Sequence, residues 1–594
     1  MNRQPPVDGA IASGPAAGDA RDKDDVLRDL DRTVHALLGE ATGGISQVGL
    51  AEAWADWLSH LALAPGTQAW IARKGTEKWL RFAQMMSRCA AGSPADAACI
   101  TPLPHDHRFD DAAWSAFPYN AIHQAFLLNQ QWWHNLTTGV PGVSARNERL
   151  VEFYSRQFLD MLSPSNFPAT NPEVLQATLR DGGLNFLRGF GYWLEDMRRQ
   201  ATGARPVGAD AFVPGRTVAV TPGEVVYENR LIELIQYRPA SGKVHEQPLL
   251  IVPAWIMKYY ILDLSPDNSL IAHLVSQGFS VFCISWKNPG EAERDLGLDD
   301  YRRLGVEAAL DAVQAITGAR HVHTAGYCLG GTLLTFAAAA LATRGDRRIA
   351  SMTLLAAQVD FTEAGELSLF VSESQLALLE DMMWRKGYLD KRRMAGTFQM
   401  LRSQDLVWSR SVREYLMGER APVNDMAAWS ADTTRMPYRM HSEYLRRLYL
   451  GNDLAEGRMQ VDGRIVYPGD IAVPVFAVAT TSDHIAPWRS VFKAVHLLDG
   501  DITFVLTNGG HNAGIVSPPG RKGRAYQMLE YRDGDPHPDP DLWRRTAVSI
   551  DGSWWPDWVR WLQARAGDMT EPPAMGGNAY RPLRPAPGAY VLED

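Results

Sequence analysis

The sequence predicts an α/β fold in which helices cover both faces of a mostly parallel sheet. Three observations support this prediction. Short β-rich runs alternate with helical stretches after residue 214, apolar residues recur three or four apart before it, and the strand rhythm stops between about residues 360 and 462. Alternating strands and helices are typical of a parallel sheet, and the other two patterns predict a helical N-terminal domain and an inserted helical cap.

The N-terminal region divides into two parts. Residues 1–25 are rich in Gly, Ala, Pro and Asp without periodic apolar positions, which predicts a disordered leader. From residue 26 to 213, stretches such as AFLLNQQWWHNL and RLVEFYSRQFLDML have helical periodicity. We therefore expect a helical domain over residues 26–213.

Residues 214–594 are expected to form a second domain. TVAVTPGEVVYEN and LIELIQYRP alternate apolar and polar residues around a Pro-Gly pair, which predicts a β-hairpin with its turn at that pair. Six further runs predict buried strands: PLLIVPAW, FSVFCISW, HVHTAGYC, IASMTLLA, VPVFAVAT and DITFVLTN. The aromatic-rich segments DLVWSRSVREYL and HSEYLRRLYLGND fall in the predicted cap, at about 360–462.

Composition narrows the classes of function. The chain is 46% hydrophobic and 21% charged, as in soluble globular proteins, and its net charge of -9 disfavours nucleic acid as a partner. No apolar run reaches the roughly 18 residues of a membrane span, and MNRQPPVDGA lacks the apolar core of a secretory signal, so we expect a cytoplasmic protein without a transmembrane segment. The four cysteines match neither a disulfide framework nor a metal site, and no metal is predicted.

The sharpest local motif is a G-x-C-x-G sequence around Cys328. The segment from Gly326 to Gly331 follows the strand HVHTA and precedes the Ala-rich helix TLLTFAAAALA. A nucleophile elbow needs this strand, tight turn and helix, with glycines where a Cβ would clash. The alternative is a small buried cysteine in a glycine turn. The complete strand–turn–helix context favours a catalytic Cys328.

A base and an orienting acid are expected after the nucleophile, in the order acid and then histidine. Asp483 lies directly after the strand VPVFAVAT, and His511 lies directly after DITFVLTN. Taken alone, Asp483 reads equally as a helix cap and His511 as a packed loop histidine. Their shared order and placement with Cys328 predict a triad on an α/β-hydrolase fold. His484, which adjoins the acid, is a secondary candidate.

An oxyanion hole is expected from backbone groups. The N–H of Leu329 follows the nucleophile, and a second donor is expected near Ala254 or Trp255, after the strand LLIV. A thiol that attacks a thioester conserves bond energy in the new thioester. Acyl-CoA donors therefore fit this nucleophile better than amides.

The chain resembles the class I polyhydroxyalkanoate synthases, which polymerise 3-hydroxyacyl-CoA into storage polyester. The matching segments occur in the family's order: MLSPSNFPATNPEV, VAVTPGEVVYEN, KYYILDL, ISWKNP, GYCLGGT, DLVWS, SDHIAPW, GGHNAGIVSPP, GSWWPDW and PAPGAYV. The resemblance runs from about His105 to the C-terminus, and the first hundred residues show no comparable match. One departure is that Ala254 replaces the second residue of a Pro-Pro pair and Met257 replaces an asparagine, so the resemblance does not fix the shape of this loop.

The resemblance implies that Cys328 carries the growing chain, that His511 is the general base, and that Asp483 either orients His511 or assists the substrate hydroxyl. It further implies short-chain substrates such as 3-hydroxybutyryl-CoA, release of CoA without any cofactor, a homodimer, and attachment to a polyester granule. Trp554, Trp555 and Trp558 are candidates for granule contact, but we expect buried packing for them instead. The rival functions are a thioesterase or polyester depolymerase with the same triad, and an inactive granule-associated subunit.

Overall fold

The computed structural model describes residues 17–90, 98–390, 396, 400–532, 534–536 and 538–594. Within these described residues the N-terminal region contains seven α-helices: α1 Ala17–Ala41, α2 Gln47–Ala62, α3 Pro65–Ala90, α4 Tyr119–Thr137, α5 Ala145–Met161, α6 Pro172–Arg180 and α7 Leu184–Thr202. Residues 1–16 of the predicted leader lie outside the described residues. Helix α1 begins at Ala17, inside the predicted leader, where the sequence spaces opposite charges four apart, a pattern that favours a helix.

An eleven-stranded mixed sheet forms the second domain. Its strands are β1 Gly223–Glu228, β2 Ile232–Tyr237, β3 Leu249–Val252, β4 Val281–Trp286, β5 Val322–Tyr327, β6 Ile349–Leu355, β7 Val475–Thr480, β8 Ile502–Thr507, β9 Ala525–Tyr531, β10 Val548–Asp551 and β11 Arg584–Pro585. They lie in the order β10-β9-β8-β7-β6-β5-β3-β4-β2-β1-β11. Strands β3 to β8 are parallel and correspond to the six predicted runs, so that prediction is confirmed.

The predicted hairpin is present, but its turn is not where the Pro-Gly pair predicts it. Strands β1 and β2 pair antiparallel, with Glu228 opposite Glu233. The turn follows β1 at Asn229, whose side-chain oxygen accepts hydrogen bonds from the N–H groups of Leu231 and Ile232 at 2.8 and 3.0 Å. An asparagine can close a turn in this way through its own side chain, and Gly223 instead begins β1.

Helices cover both faces of the sheet, over two buried hydrophobic clusters. The helices of this domain, including those of the insertion, are α8 Leu270–Ser276, α9 Ala308–Thr317, α10 Leu329–Thr343, α11 Glu373–Lys386, α12 Asp425–Ser430, α13 Tyr438–Tyr444, α14 Trp488–Phe492, α15 Ala494–Leu497, α16 Pro540–Thr546 and α17 Trp555–Gln563. Helix α10 is buried along residues 329–341, as its uniformly apolar sequence predicts. Within the described ranges, no helix has the length and apolar character needed to cross a membrane.

The predicted helical insertion lies between two neighbouring strands. Strands β6 and β7 pair in parallel, yet the chain between them leaves the sheet and forms α11 to α13 with π-helical segments at Gln404–Ser409, Val412–Leu416 and Leu445–Leu450. Helix α7 packs on the second of these segments, where Gly189 approaches the carbonyl of Tyr415 so closely that a Cβ would lie 1.9 Å from its oxygen. Helix α7 of the N-terminal region therefore packs directly against the insertion. The predicted domain boundaries at residues 25, 213, 360 and 462 stay predictions.

Candidate active site

Cys328 occupies the turn between β5 and α10. Its backbone has φ 52° and ψ -125°, a conformation that a non-glycine residue rarely adopts. Its N–H donates to the carbonyl of Leu355 at 2.8 Å, and its carbonyl accepts from the N–H of Gly331 at 2.9 Å. The partly buried thiol thus sits at the N-terminus of a buried helix, in the strained geometry of a nucleophile elbow.

Three glycines make this turn possible. A Cβ on Gly326 would lie 2.3 Å from the Cα of Gly331, and a Cβ on Gly331 would lie 2.4 Å from the Cβ of Ala357. A Cβ on Gly330 would lie 2.1 Å from the carbonyl oxygen of Val252, at the end of β3. No side chain fits at these distances. The N-terminus of α10 therefore lies directly against the loop that follows β3.

Asp483 and His511 meet at the carboxyl ends of β7 and β8. The Nδ1 atom of His511 lies 2.7 Å from Oδ2 of Asp483, and the carboxylate has no exposed surface. Oδ1 of Asp483 accepts from the N–H groups of Ile485 at 2.9 Å and Ala486 at 2.8 Å, while Oδ2 also accepts from the hydroxyl of Thr480 at 3.2 Å. The helix-cap contacts and the histidine contact therefore coexist on one carboxylate.

The electrostatics favour an ionised pair. Burial raises the pKa of Asp483, but the charge of His511 and the hydrogen bonds to the carboxylate outweigh it, so this pKa is lowered. Burial lowers the pKa of His511, but the charges of Asp483 and Cys328 and the hydrogen bonds of both residues raise it well above 6.5. His511 thus bonds directly to the acid, and the thiol contributes to its raised pKa, as expected for a histidine that serves a cysteine nucleophile.

The backbone donors expected for an oxyanion hole are free. Among the described residues, no acceptor takes the N–H of Leu329, Ala254 or Trp255. Ala254 is buried, and buried N–H groups are seldom left without a partner. The loop itself is fixed, because the carbonyl of Pro253 accepts from the indole of Trp286 at 2.8 Å. The site therefore offers unpaired donors beside the nucleophile.

Among the described residues, the side chain of His484 makes no hydrogen bond to Cys328, Asp483 or His511. Its Nδ1 is buried, with no hydrogen-bond partner in the part of the chain that the structure describes. Burial lowers its pKa, and the neighbouring charge of Arg402 lowers it further, while Asp483 opposes both effects. The carboxylate of Asp483 bonds to His511 instead.

Several residues near the site were not predicted from the sequence. The hydroxyl of Tyr327 donates to the side chain of Asn512 at 2.5 Å, and its ring lies 5.6 Å from that of His511. Burial raises the pKa values of Tyr444 and Tyr449, and the charge of Cys328 adds to both shifts, so both phenols lie near the thiol. Tyr327 lies inside the G-x-C-x-G motif, but no local pattern marks the two insertion tyrosines.

The three tryptophans considered for granule contact are buried, as expected from the sequence. Trp554, Trp555 and Trp558 are at most 1% exposed. The indole of Trp554 donates to the carbonyl of Gly514 at 3.0 Å, and that of Trp555 donates to the carbonyl of Ile515 at 2.9 Å. Both tryptophans thus hold the loop that carries His511, and granule contact through them is excluded.

Comparisons with known proteins identify first the class and then the family. Residues 247–518 match the model of the α/β-hydrolase fold, so the predicted fold class is confirmed. Residues 105–274 match the family described as poly-beta-hydroxybutyrate polymerase (PhaC) N-terminus, and residues 26–67 match poly-beta-hydroxybutyrate polymerase N terminal. The match over residues 26–67 corrects the expectation that the first hundred residues show no comparable match.

Curated relatives agree over most of the chain. A poly(3-hydroxyalkanoate) polymerase of Methylorubrum extorquens is 45% identical over 83% of this chain and 81% of its own length. The poly(3-hydroxyalkanoate) polymerase subunits PhaC of Rhizobium meliloti and Cupriavidus necator are each 38% identical, covering 90% of this chain and 86% and 90% of their own lengths. The chain belongs to the poly(3-hydroxyalkanoate) polymerase family, and it is an acyltransferase.

Proposed function

We propose that this enzyme polymerises (R)-3-hydroxyacyl-CoA through a covalent intermediate on Cys328, with release of CoA and without a cofactor. His511 takes the thiol proton, and the thiolate attacks the thioester carbonyl. The tetrahedral oxyanion accepts hydrogen bonds from the N–H groups of Leu329 and Ala254. The bond to the CoA sulfur then breaks, the sulfur takes the proton from His511, and the acyl group remains on Cys328.

Chain growth uses the same histidine. The 3-hydroxyl of a second substrate gives its proton to His511, and its oxygen attacks the acyl-cysteine carbonyl. The ester forms as the cysteine sulfur leaves and recovers the proton. The observation that carries this proposal is the buried pair of His511 and Asp483 at 2.7 Å, in which the charge of Cys328 helps to raise the pKa of His511.

For Asp483 we propose the role of orienting His511 rather than assisting the substrate hydroxyl. Both carboxylate oxygens accept hydrogen bonds from protein groups, and the side chain has no exposed surface. A carboxylate in this position holds the histidine tautomer and stabilises the imidazolium.

The proposed substrate is short, with 3-hydroxybutyryl-CoA as the preferred donor. Buried rings lie close together in this region: the centroids of Trp255 and Tyr444 are 6.0 Å apart, and those of Tyr444 and Tyr449 are 5.4 Å apart. The charge of Cys328 contributes to the raised pKa values of both tyrosines. In this proposal the rings restrict the acyl side chain to a short one. The same apolar surroundings exclude water, which favours polymerisation over hydrolysis.

We further propose a homodimer that acts at the surface of its polyester. Helix α7 exposes a row of large apolar side chains, among which Leu187 is 69% and Phe190 is 60% exposed. Exposed apolar surface of this kind is typical of interaction sites, and the product is apolar. Sedimentation of the enzyme with isolated polyester, and its mass in solution, test the two parts of this proposal.

The decisive assay follows CoA release from 3-hydroxybutyryl-CoA by the wild type and by Cys328→Ala, with the products examined for polymer. We expect release with polymer from the wild type and neither from the variant. Release with only free hydroxy acid would instead mean a thioesterase. An absence of release from the wild type would contradict the proposal.

A further inference from the structure

Lys258 is a buried cation next to the loop after β3. The side chain belongs to a residue that is 4% exposed, and its Nζ donates to the carbonyl of Val591 at 2.8 Å and to that of Glu593. Burying an ammonium group is costly unless it is well paired. These contacts therefore tie Lys258 firmly to residues 588–594, which we call the C-terminal tail.

The C-terminal tail is itself fixed to the sheet. Glu233 of β2, whose carboxylate has no exposed surface, accepts from the N–H of Ala589 at 2.9 Å and from that of Tyr590 at 2.9 Å. Glu593 accepts from the N–H of Asn288, directly after β4, at 3.0 Å. The tail thus provides Lys258 with a rigid support.

Lys258 closes the far end of the loop over residues 253–258. Its carbonyl accepts from the indole of Trp429 in the helical insertion at 2.8 Å, and Met257 pairs with Thr433 of the same insertion. Met257 packs against both hydrophobic clusters, as does Cys328. A shift of Lys258 would therefore move the backbone that carries Ala254 relative to the nucleophile.

We propose that Lys258 is a positioning residue, through which the C-terminal tail holds the oxyanion loop in its catalytic geometry. The inference rests on the proposed function of the Ala254 N–H as an oxyanion donor. Such donors act only when they lie within hydrogen-bonding distance of the developing charge, so a small displacement has a large cost. Lys258 itself does not touch the substrate.

The first test is Lys258→Met, which keeps the length of the side chain but leaves the two tail carbonyls unpaired. We expect kcat for CoA release to fall about 10- to 100-fold with little change in KM, because the donors act in the transition state. Alkylation of Cys328 by iodoacetamide needs no oxyanion hole, so its rate should stay at the wild-type value. The matched control is Lys243→Met at an exposed position, with wild-type kinetics expected.

The second test weakens the contact between the C-terminal tail and Glu233. Glu233→Gln weakens the hold on Ala589 and Tyr590, and it should lower kcat without slowing alkylation. Since both variants release the same tail, the double variant should lose less than the product of the single effects. If Lys258→Met does not fold, Glu233→Gln alone carries the test.

Three results would overturn the inference: unchanged kcat in both variants, alkylation slowed as much as CoA release, or fully multiplicative effects. Failure of the proposed function has a different signature. In that case Cys328→Ala would release CoA as fast as the wild type, whatever the outcome at Lys258.

Discussion

The Nδ1 atom of His511 lies 2.7 Å from a carboxylate oxygen of Asp483, and the same carboxylate is capped on its other oxygen by two backbone N–H groups. The two backbone contacts fix the position of the carboxylate that bonds to His511. Because Nδ1 is engaged with Asp483, the other ring nitrogen is left for Cys328. This relationship makes the acid a structural support for the base.

Asp483→Asn should lower kcat at least about 100-fold. The amide oxygen can still accept from Ile485 and Ala486, but the charge that stabilises the His511 imidazolium is gone. CoA release under saturating substrate measures the effect. A variant with more than a tenth of the wild-type kcat would contradict the proposed role.

Asp483→Asn should also change the way in which thermal stability depends on pH. The pKa of His511 is raised above 6.5, so its contribution to the free energy of unfolding is complete below pH 6.5. That contribution is lost as the pH rises through the pKa of His511 in the folded state. The pKa of Asp483 is lowered below 3.8, so its contribution to the free energy of unfolding is complete above pH 3.8. That contribution is lost as the pH falls through the pKa of Asp483 in the folded state. The difference in Tm between wild type and Asp483→Asn should be largest between those two pH values. A difference that does not vary with pH would argue against an ionised pair.

Substitutions of His511 and of His484 should have very different effects on kcat. His511→Gln should abolish measurable CoA release, because the variant lacks the base proposed to take the proton from Cys328. His484→Gln should retain at least a tenth of the wild-type kcat, since its ring bonds to neither Asp483 nor His511 among the described residues. Equal losses in the two variants would require His484 to be part of the catalytic group.

Gly330→Ala should disrupt the site through a single methyl group. The new Cβ would lie 2.1 Å from the carbonyl oxygen of Val252, so helix α10 or the loop after β3 must move. We expect a fall of about 100-fold in kcat. Gly191→Ala is the control, because this glycine of α7 has open space around it and alanine favours the helix. Wild-type activity in Gly330→Ala would refute the close approach.

Trp554→Phe should destabilise the loop that carries His511. The substitution keeps an aromatic ring but removes the hydrogen bond to the buried carbonyl of Gly514. An unpaired buried carbonyl costs about 1–3 kcal/mol, and thermal unfolding should show a lower Tm. Trp79→Phe, at a position that is 73% exposed, should leave Tm unchanged. Equal Tm values for the two variants would mean that the bond contributes nothing.

Sequence patterns predicted what is encoded locally. The glycines around Cys328 and the strands before Asp483 and His511 predicted the elbow and the placement of the two partners, because strand ends determine where such residues meet. Contacts between distant segments leave no local pattern, and Lys258 with Val591 is an example. The folding of the insertion brings Tyr444 and Tyr449 near enough to the thiol for its charge to contribute to their raised pKa values, which helical periodicity does not reveal.

The most direct test of covalent catalysis is to trap the acyl group with butyryl-CoA. This donor has the thioester but lacks the 3-hydroxyl, so chain growth stops at the first intermediate. Peptide mapping by mass spectrometry should find one butyryl group on the peptide that contains Cys328, and none in Cys328→Ala. A butyryl group on another residue, or CoA release without any adduct, would contradict the account.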